Sequence, residues 1–305
     1  MGKIAFVFSG QGAQYSGMGK SLYETSDGAK ELYNSAEKIR PDIKDLSFSG
    51  SEEELKNTAN TQPCMYLASL AAAVSLGENG IFADGVAGFS LGEIGALAYA
   101  GAYSYENGFK IVSRRGELMA QAAALAETSM CAVVKLSGET VINAVKEFEK
   151  LYAVNFNCPG QIVVSGLSAS MPAFEEKIKS LGGRCIPLAV SAAFHSPFME
   201  TASKQFADFL KTENINQPKI PVYANLTGEI YGENVAGYLE NQMKNPVQWQ
   251  TIIENMIADG FTDFIEVGAG KTLCGFIKKI SKDVNTYSVE NEETLKLAVE
   301  AIKNA

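Results

Sequence analysis

The sequence predicts the α/β fold class, with a larger domain that contains a parallel sheet and is interrupted by a smaller domain. Strand-like apolar runs alternate with helical patterns before residue 126 and again after residue 195, which is typical of α/β domains. Between these parts, six elements follow the order strand, helix, strand, strand, helix, strand. The chain has 305 residues, of which 46% are hydrophobic and 20% charged, so it is long enough to bury such a core.

The predicted elements begin with a buried strand at 4–8, which leads into a glycine loop. It is followed by a helix at 63–76, a short strand at 85–88, and helices at 92–102 and 104–126. The middle part is predicted as a ferredoxin-like unit with strand 130–136, helix 139–151, strands 152–157 and 161–166, helix 170–181 and strand 184–190. Later elements are strands at 222–225 and 264–267 and an amphipathic helix near 251–257. We therefore assign 1–126 and 196–305 to the larger, discontinuous domain and 127–195 to the smaller one.

Charge and cysteine content argue against several classes of protein. The net charge of −9 disfavours general binding to nucleic acid or anionic membranes. Five cysteines lie far apart without a C-x-x-C pair, which predicts buried free thiols rather than a disulfide framework or a metal site. No apolar stretch reaches about 18 residues, and the run at the start is too short for a secretory signal. We therefore expect a cytoplasmic protein that binds neither nucleic acid, membrane nor metal.

A candidate nucleophile lies in the pattern G-x-S-x-G, formed by Gly88-Phe89-Ser90-Leu91-Gly92. Flanking glycines permit a sharp turn from strand to helix that exposes the serine hydroxyl, and the pattern lies between a predicted strand and a predicted helix. A serine needs a base to take its proton, and His195 is the only histidine of the chain. The sequence therefore pairs Ser90 with His195. The alternatives are a serine that caps the following helix and a structural histidine.

The group that orients His195 is left open by the residues themselves. Either a backbone carbonyl or a carboxylate such as Asp263 would serve. An oxyanion hole needs two backbone N–H donors, and the residue after the nucleophile, Leu91, supplies one in this type of turn. We expect the second in the loop Gly10-Gln11-Gly12, whose glycines allow close approach to a ligand; a solvent-facing turn is the alternative.

Arg115 is predicted on the buried face of the helix at 104–126. It shares that face with Ile111, Leu118 and Ala122, whereas Arg114 falls on the polar face. A buried guanidinium needs an anionic partner, and a substrate carboxylate would provide one, as would an internal ion pair.

Two apparent nucleotide motifs are incomplete. Ile265 stands where a phosphate loop ending in Gly270-Lys271-Thr272 needs its first glycine. Tyr15 likewise replaces the last glycine of a dinucleotide fingerprint that starts at Gly10. We therefore predict no nucleotide or other cofactor.

Six motifs occur together in order along nearly the whole chain: FSGQGAQYSGMG, AGFSLGE, SRRGELM, AAFHSPFM, NPVQW and EVGAGK. In this combination the sequence resembles the malonyl-CoA:acyl carrier protein transacylases of bacterial fatty-acid synthesis. The resemblance implies an α/β-hydrolase-like core with an inserted ferredoxin-like subdomain. It also implies ping-pong transfer of a malonyl group from coenzyme A to the phosphopantetheine thiol of acyl carrier protein, through a malonyl-serine intermediate.

The resemblance also implies roles for individual residues. Ser90 matches the nucleophile and His195 the base, while Gln11 and Leu91 match the oxyanion donors. Arg115 matches the arginine that pairs with the malonyl carboxylate. In this family a main-chain carbonyl orients the histidine, and the matching residue here is Gln242. Malonyl-CoA and acyl carrier protein are the partners that follow, and we expect a monomer.

The sequence departs from the family pattern at two positions, and the first puts in doubt any contact made by the family histidine but not the chemistry. Phe89 stands where many members carry histidine, and Ala269 stands where proline is usual. The AAFH sequence resembles the malonyl-preferring version of the family, so Phe194 is the predicted specificity residue. Exclusion of an α-methyl group is worth only about 1–3 kcal/mol, so residual methylmalonyl use is expected.

A basic patch is the expected docking site for an acidic carrier protein, because this chain is itself acidic. Its candidates are Lys271, Lys278, Lys279 and Lys282. A solvated helix face is the alternative interpretation.

Two other functions use the same residues. A serine hydrolase such as a thioesterase needs the same serine, base and oxyanion hole, although Arg115 has no substrate anion in the hydrolysis of an uncharged ester. A non-catalytic subunit that docks carrier protein is the second alternative. An acyltransferase that serves a polyketide synthase would carry out the same transfer, so the sequence does not separate the two pathways.

Overall fold

The computed structural model describes residues 2–188, 190 and 192–304. Its strands are β1 Lys3–Phe8, β2 Gly85–Gly88, β3 Thr128–Val134, β4 Leu151–Cys158, β5 Gln161–Leu167, β6 Arg184–Pro187, β7 Val222–Tyr223, β8 Phe261–Val267 and β9 Asn285–Val289. They form a 5-stranded parallel sheet in the order β7-β2-β1-β8-β9 and a 4-stranded antiparallel sheet in the order β4-β5-β3-β6. The predicted α/β class is confirmed.

Helices pack against both sheets. In the first part of the chain they are α1 Lys20–Thr25, α2 Asp27–Ile39, α3 Ile43–Ser49, α4 Glu52–Lys56, α5 Thr58–Glu78, α6 Gly92–Tyr99 and α7 Tyr105–Ala123. The later helices are α8 Gly138–Val145, α9 Met171–Ser180, α10 Glu200–Leu210, α11 Val235–Gln242, α12 Trp249–Ala258, α13 Thr272–Ile280 and α14 Glu292–Lys303.

The carboxyl ends of the central parallel strands meet at one edge of the sheet. Phe8 of β1 is opposite Gly88 of β2 and Val267 of β8, so the three strands end level with each other. The loops that follow therefore lie side by side above this edge, where α/β sheets bind their ligands. This register places the loop after β1 next to the turn that carries Ser90.

The antiparallel sheet has the predicted order of strands and helices, β3-α8-β4-β5-α9-β6. All four strands lie within the range 127–195 that was predicted for the smaller domain. The exact boundaries of that domain stay a prediction. The sheet joins the rest of the chain through β4, because the N–H of Phe156 donates to Val247 O at 2.9 Å and the N–H of Val247 donates to Val154 O at 2.9 Å. This link holds the two sheets on opposite sides of a cleft.

Helix α5 begins earlier than the predicted start at Pro63. Asn57 caps it by accepting a hydrogen bond from the N–H of Ala59. Pro63 lies inside the helix and has no N–H to donate to Ala59 O, four residues before it. Arg40 Nη1 donates to that carbonyl at 3.2 Å instead. The helix thus tolerates its proline because a distant arginine replaces the missing donor.

Other element boundaries also differ from the prediction. The helix predicted at 139–151 ends at Val145, and the strand predicted at 184–190 ends at Pro187, while Ala189 lies outside the described residues. Helices α1 to α4, α10, α11, α13 and α14 and strand β9 are not among the predicted elements. All five cysteines are free, as predicted, and only Cys185 is not fully buried. Among the described residues, no helix is both long and apolar enough to cross a membrane.

Candidate active site

The turn that carries Ser90 requires glycine at both ends. A Cβ atom at Gly88 would overlap the backbone of Gly92 and Glu93, and one at Gly92 would overlap the carbonyl of Phe8. Strand β2, the turn and helix α6 can pack this closely only without these side chains. The G-x-S-x-G pattern therefore forms the predicted strand-turn-helix structure.

The backbone of Ser90 is held in a left-handed conformation, with φ at 53°. Such a conformation costs about 1–3 kcal/mol in a residue other than glycine and persists only where the surroundings enforce it. The side chain of Asn225 does so: its Oδ1 accepts from the N–H of Ser90 at 2.7 Å, and its Nδ2 donates to Gly88 O. Asn225 therefore clamps both sides of the turn.

His195 lies against Ser90, as predicted. Its Nε2 is 2.7 Å from Ser90 Oγ, and its Nδ1 is 2.9 Å from the main-chain oxygen of Gln242. A carbonyl only accepts, so Nδ1 carries the ring proton and Nε2 is free to accept from the hydroxyl. His195 also has a positive φ, 58°. The pair thus has the geometry of a serine hydroxyl activated by a neutral imidazole.

Arg115 is 1% exposed and lies beside Ser90 on the buried face of α7. Its guanidinium donates to three neutral oxygens: Gln62 Oε1 at 2.9 Å, Gln242 Oε1 at 2.7 Å and Ser90 Oγ at 3.2 Å. In the described part of the chain it forms no direct ion pair, although the buried carboxylate of Glu93 interacts with its charge without contact. A buried arginine held only by neutral oxygens retains its charge for an anionic ligand. Arg114 lies on the polar face, as predicted, and forms a salt bridge there with Glu117.

Two backbone N–H groups next to Ser90 are free to bind an anion. Within the described ranges, the N–H of Leu91 and that of Gln11 have no hydrogen-bond partner, whereas the N–H of Ser90 is bound by Asn225. The Gln11 loop lies against the turn, because a Cβ atom at Gly10 would touch the side chain and the carbonyl oxygen of Phe89. The loop that carries Gln11 therefore lies beside the turn that carries Ser90 and Leu91.

The site opens into a cavity of about 800 Å³ between the two sheets. Gln11, Ser90 and His195 line it, and so do Met130 and Ala132 of β3. Phe194 is 8% exposed and also lines the cavity. Its side chain therefore forms part of the cavity wall.

The sequence profile of the family described as "Acyl transferase domain" matches residues 5–304. The chain belongs to this family. It is similar to the malonyl CoA-acyl carrier protein transacylase of Bacillus subtilis, with 39% identity over 99% of this chain and 98% of that protein. The relative from Staphylococcus aureus (strain MSSA476) has the same name and is 39% identical over 97% of this chain and 98% of its own.

Solved structures agree with this assignment of the acyl transferase. The malonyl CoA-acyl carrier protein transacylase of Clostridium perfringens superimposes with a TM-score of 0.96 at 36% identity, covering 99% of this chain and 98% of its own. A second structure shows a malonyl-transacylase in complex with a type II PKS acyl-carrier protein. It matches with a TM-score of 0.94 at 31% identity, over 98% of this chain and 99% of that one.

The acyl transferase orients His195 through a carbonyl and not through Asp263. The Asp263 carboxylate instead accepts from Thr262, from Asn285 Nδ2 at 3.0 Å and from Tyr287. Asp263 lies near the start of β8, whereas the site lies at the carboxyl end of this strand. The carboxylate therefore cannot reach His195. The suggestion of Asp263 was therefore wrong.

Several residues of the acyl transferase site were missed by the sequence analysis. Asn225 and Glu93 are fully buried beside the turn, and each is bonded to residues distant in sequence. Asn155 and Asn157 of β4 line the cavity, and the Oδ1 atoms of both are buried without a partner in the described structure. Their spacing of two residues on a predicted strand, which points both side chains to one face, was the available signal.

Phe89 fills the position where many relatives were expected to carry histidine. It packs against Trp249 and Phe276, with ring centroids at 5.5 Å and 6.3 Å. In this acyl transferase the side chain before the nucleophile therefore belongs to the hydrophobic core beneath the turn. Among the described residues, no three His, Cys, Asp or Glu side chains converge as a metal site would need.

The pH dependence of Ser90 reactivity follows from the pKa of His195. Burial and the neighbouring charge of Arg115 lower this pKa from 6.5 to about 4, against the hydrogen bond to Gln242. The base must be neutral, so reactivity should be constant at higher pH and fall as the pH drops through about 4. Inactivation by phenylmethanesulfonyl fluoride, with circular dichroism as a check on folding at each pH, measures this. A midpoint near 6.5 would contradict the expectation.

Proposed function

We propose that this chain is a malonyl-CoA:acyl carrier protein transacylase. The observation that carries the proposal is the position of Arg115, a buried cation beside the hydroxyl of the Ser90–His195 pair. An acyl chain attached to Ser90 would place a terminal carboxylate within reach of this guanidinium, and a carboxylate–arginine pair in a buried site is strongly favoured. The names of the relatives support the same substrate.

The proposed reaction has two symmetrical halves. In the first, Ser90 Oγ attacks the thioester carbon of malonyl-CoA while His195 Nε2 takes the hydroxyl proton. The tetrahedral oxyanion is bound by the N–H groups of Gln11 and Leu91. When the C–S bond breaks, the proton passes from His195 to the departing coenzyme A thiolate, which leaves a malonyl ester on Ser90.

In the second half, the thiol of the phosphopantetheine arm on acyl carrier protein gives its proton to His195 Nε2 and attacks the ester. The bond to Ser90 Oγ then breaks, and His195 returns the proton to the serine. The side-chain oxygens of Asn155 and Asn157 support this route, since unpartnered acceptors along the cavity suit the N–H groups of the two amides of a pantetheine arm. No cofactor is proposed, because the pantetheine thioester is the substrate itself.

Gln242 has two proposed tasks at once. Its main-chain oxygen orients His195, and its side-chain oxygen orients Arg115. Phe194 is proposed to limit the width of the acyl group, with discrimination against an α-methyl branch of about 1–3 kcal/mol.

The function is tested by incubation of the protein with malonyl-CoA and holo acyl carrier protein. We expect malonyl-carrier protein and free coenzyme A in equal amounts. Free malonate without malonyl-carrier protein would instead identify a hydrolase, and absence of any turnover would identify a docking subunit. The assay does not separate fatty-acid synthesis from service to a polyketide synthase.

The carrier protein is proposed to dock on a basic surface formed by Lys271, Lys278, Lys279 and Lys282. All four are exposed on or beside α13, and none forms a salt bridge with another described residue. Thr272, Leu273 and Phe276 of the same segment line the cavity, so a partner bound here would lie near its entrance. Acidic partners are attracted to unpaired surface lysines.

Charge reversal at this surface should affect only the second half-reaction. We expect Lys278→Glu/Lys279→Glu to raise the KM for carrier protein about tenfold and to leave malonyl loading from coenzyme A unchanged. Steady-state kinetics with each substrate varied in turn measures both values. The matched control is Lys204→Glu on α10, an exposed lysine outside this surface. An unchanged KM for carrier protein would contradict the docking assignment.

We further infer an α/β-hydrolase-like core and a ferredoxin-like subdomain. The parallel order β7-β2-β1-β8-β9 and the antiparallel order β4-β5-β3-β6 support these descriptions. A cytoplasmic location and a monomeric state remain part of the proposal.

A further inference from the structure

Glu93 is a fully buried carboxylate one turn of helix beyond the nucleophile. Every polar group that touches it is a donor. Tyr231 Oη and Gln242 Nε2 donate to it, the latter at 2.8 Å, and the N–H of Asn225 is 3.3 Å from both of its oxygens. Burial raises the pKa of Glu93 to about 7, while these hydrogen bonds and the charge of Arg115 oppose that rise. The protein thus keeps a carboxylate beside the site although the desolvation of a buried charge is unfavourable.

The side chain of Gln242 connects Glu93 to Arg115. Its amide nitrogen uses both hydrogens, one toward Glu93 Oε2 and one toward the main-chain oxygen of Ser90 at 2.7 Å. Its Oε1 therefore faces Arg115, which donates to it at 2.7 Å. In the flipped orientation, the amide oxygen would face two acceptors and the amide nitrogen would face a cation. Glu93 and Ser90 O together exclude that orientation.

We propose that Glu93 is a positioning residue that fixes the side-chain amide of Gln242 and thereby fixes the guanidinium of Arg115 for carboxylated acyl groups. The inference rests on the proposed function, because it concerns how the same site selects its acyl group. Glu93 touches neither the hydroxyl of Ser90 nor the ring of His195 in the described structure.

The effect should depend on the acyl group. His195 is oriented by the main-chain oxygen of Gln242, which does not depend on the orientation of the side-chain amide. Removal of Glu93 also takes an acceptor from Tyr231 and from the N–H of Asn225, and any resulting change at the Ser90 turn would affect both acyl groups equally. Arg115 is the group whose acceptor, the Gln242 side-chain oxygen, loses its orientation. Loading of malonyl groups, which need Arg115, should therefore suffer more than loading of acetyl groups, which have no carboxylate.

The test compares malonyl and acetyl loading by rapid-quench intact mass for the wild type, Glu93→Ala and Glu93→Gln. We expect the malonyl:acetyl ratio of kcat/KM to fall about tenfold in Glu93→Ala. In Glu93→Gln, which keeps the size but not the charge, we expect a fall of about threefold. The matched control is Glu117→Ala, which removes an exposed carboxylate from the helix that carries Arg115.

A double-mutant cycle with Gln242→Ala then tests the route of the effect. If Glu93 acts through Gln242, Glu93→Ala/Gln242→Ala should have the same malonyl:acetyl ratio as Gln242→Ala alone. Additive losses would overturn the proposal, as would an equal loss for both acyl groups. If Glu93→Ala does not fold, an unchanged malonyl:acetyl ratio of kcat/KM in Glu93→Gln is sufficient to overturn the proposal. A wild-type protein that takes up no malonyl group would overturn the proposed function and this inference with it.

Discussion

Replacement of Ser90 by alanine should abolish formation of an acyl-enzyme. The hydroxyl is the only group in the described structure that is both 2.7 Å from His195 Nε2 and 3.2 Å from Arg115 Nη2. Without it, the base has no proton to take and the acyl group has no attachment point. In serine enzymes such a change lowers turnover by about 10⁶-fold. Transfer to carrier protein should therefore fall to the background rate, measured by the appearance of malonyl-carrier protein.

The matched control for this change is Ser113→Ala. The Ser113 hydroxyl bonds the carbonyl of Phe109 within its own helix, so its loss should leave transfer within about twofold of the wild type. Melting temperatures of both variants check that the fold is intact. A stable malonyl adduct on the Ser90→Ala protein would show that another residue is the nucleophile.

Replacement of Arg115 by alanine should weaken malonyl loading by about 100-fold and acetyl loading by less than about fivefold. Loss of one partner from a buried, hydrogen-bonded charge pair costs about 2–5 kcal/mol, which corresponds to a range from about 30-fold to several thousand-fold and includes the factor expected for the carboxylated acyl group. Acetyl groups carry no charge, so only the packing and the contact with Ser90 Oγ are lost. Rapid-quench intact mass with each acyl-CoA gives both rates.

Two further variants sharpen the test of Arg115. Arg114→Ala removes the neighbouring exposed arginine, whose one salt bridge among the described residues is with Glu117, and should change neither rate. Arg115→Lys keeps the charge but loses the planar fork, and it should recover only part of the malonyl loading. Equal losses for malonyl and acetyl groups in Arg115→Ala would remove its role as the carboxylate-binding residue.

Features that depend on neighbours in sequence were predictable. The glycines around Ser90 and the strand before it predict an exposed serine, and helical spacing places Arg115 on the buried face of α7. His195 was found because the chain has no other histidine. The order of strands and helices in the antiparallel unit followed from local patterns in the same way.

Features that depend on contacts between distant residues were not predictable from local patterns. Gln242 is 152 residues from Ser90, to which it donates a hydrogen bond, and only the family resemblance indicated it. Asn225 is 135 residues from Ser90, and Glu93 reads locally as an ordinary first-turn acidic residue of a helix. The early start of α5 depends on Arg40, a residue outside that helix. Each of these features depends on packing between segments that are distant in sequence, and local secondary-structure propensity contains no information about such packing.

The most direct test of the account is the intact mass of the protein after brief incubation with malonyl-CoA, followed by addition of holo acyl carrier protein. We expect a gain of about 86 Da, the mass of one malonyl group on Ser90, which then leaves the enzyme and appears on the carrier. Production of malonyl-carrier protein without any mass gain on the enzyme, or an adduct that is released only as malonate, would contradict transfer through a malonyl-serine.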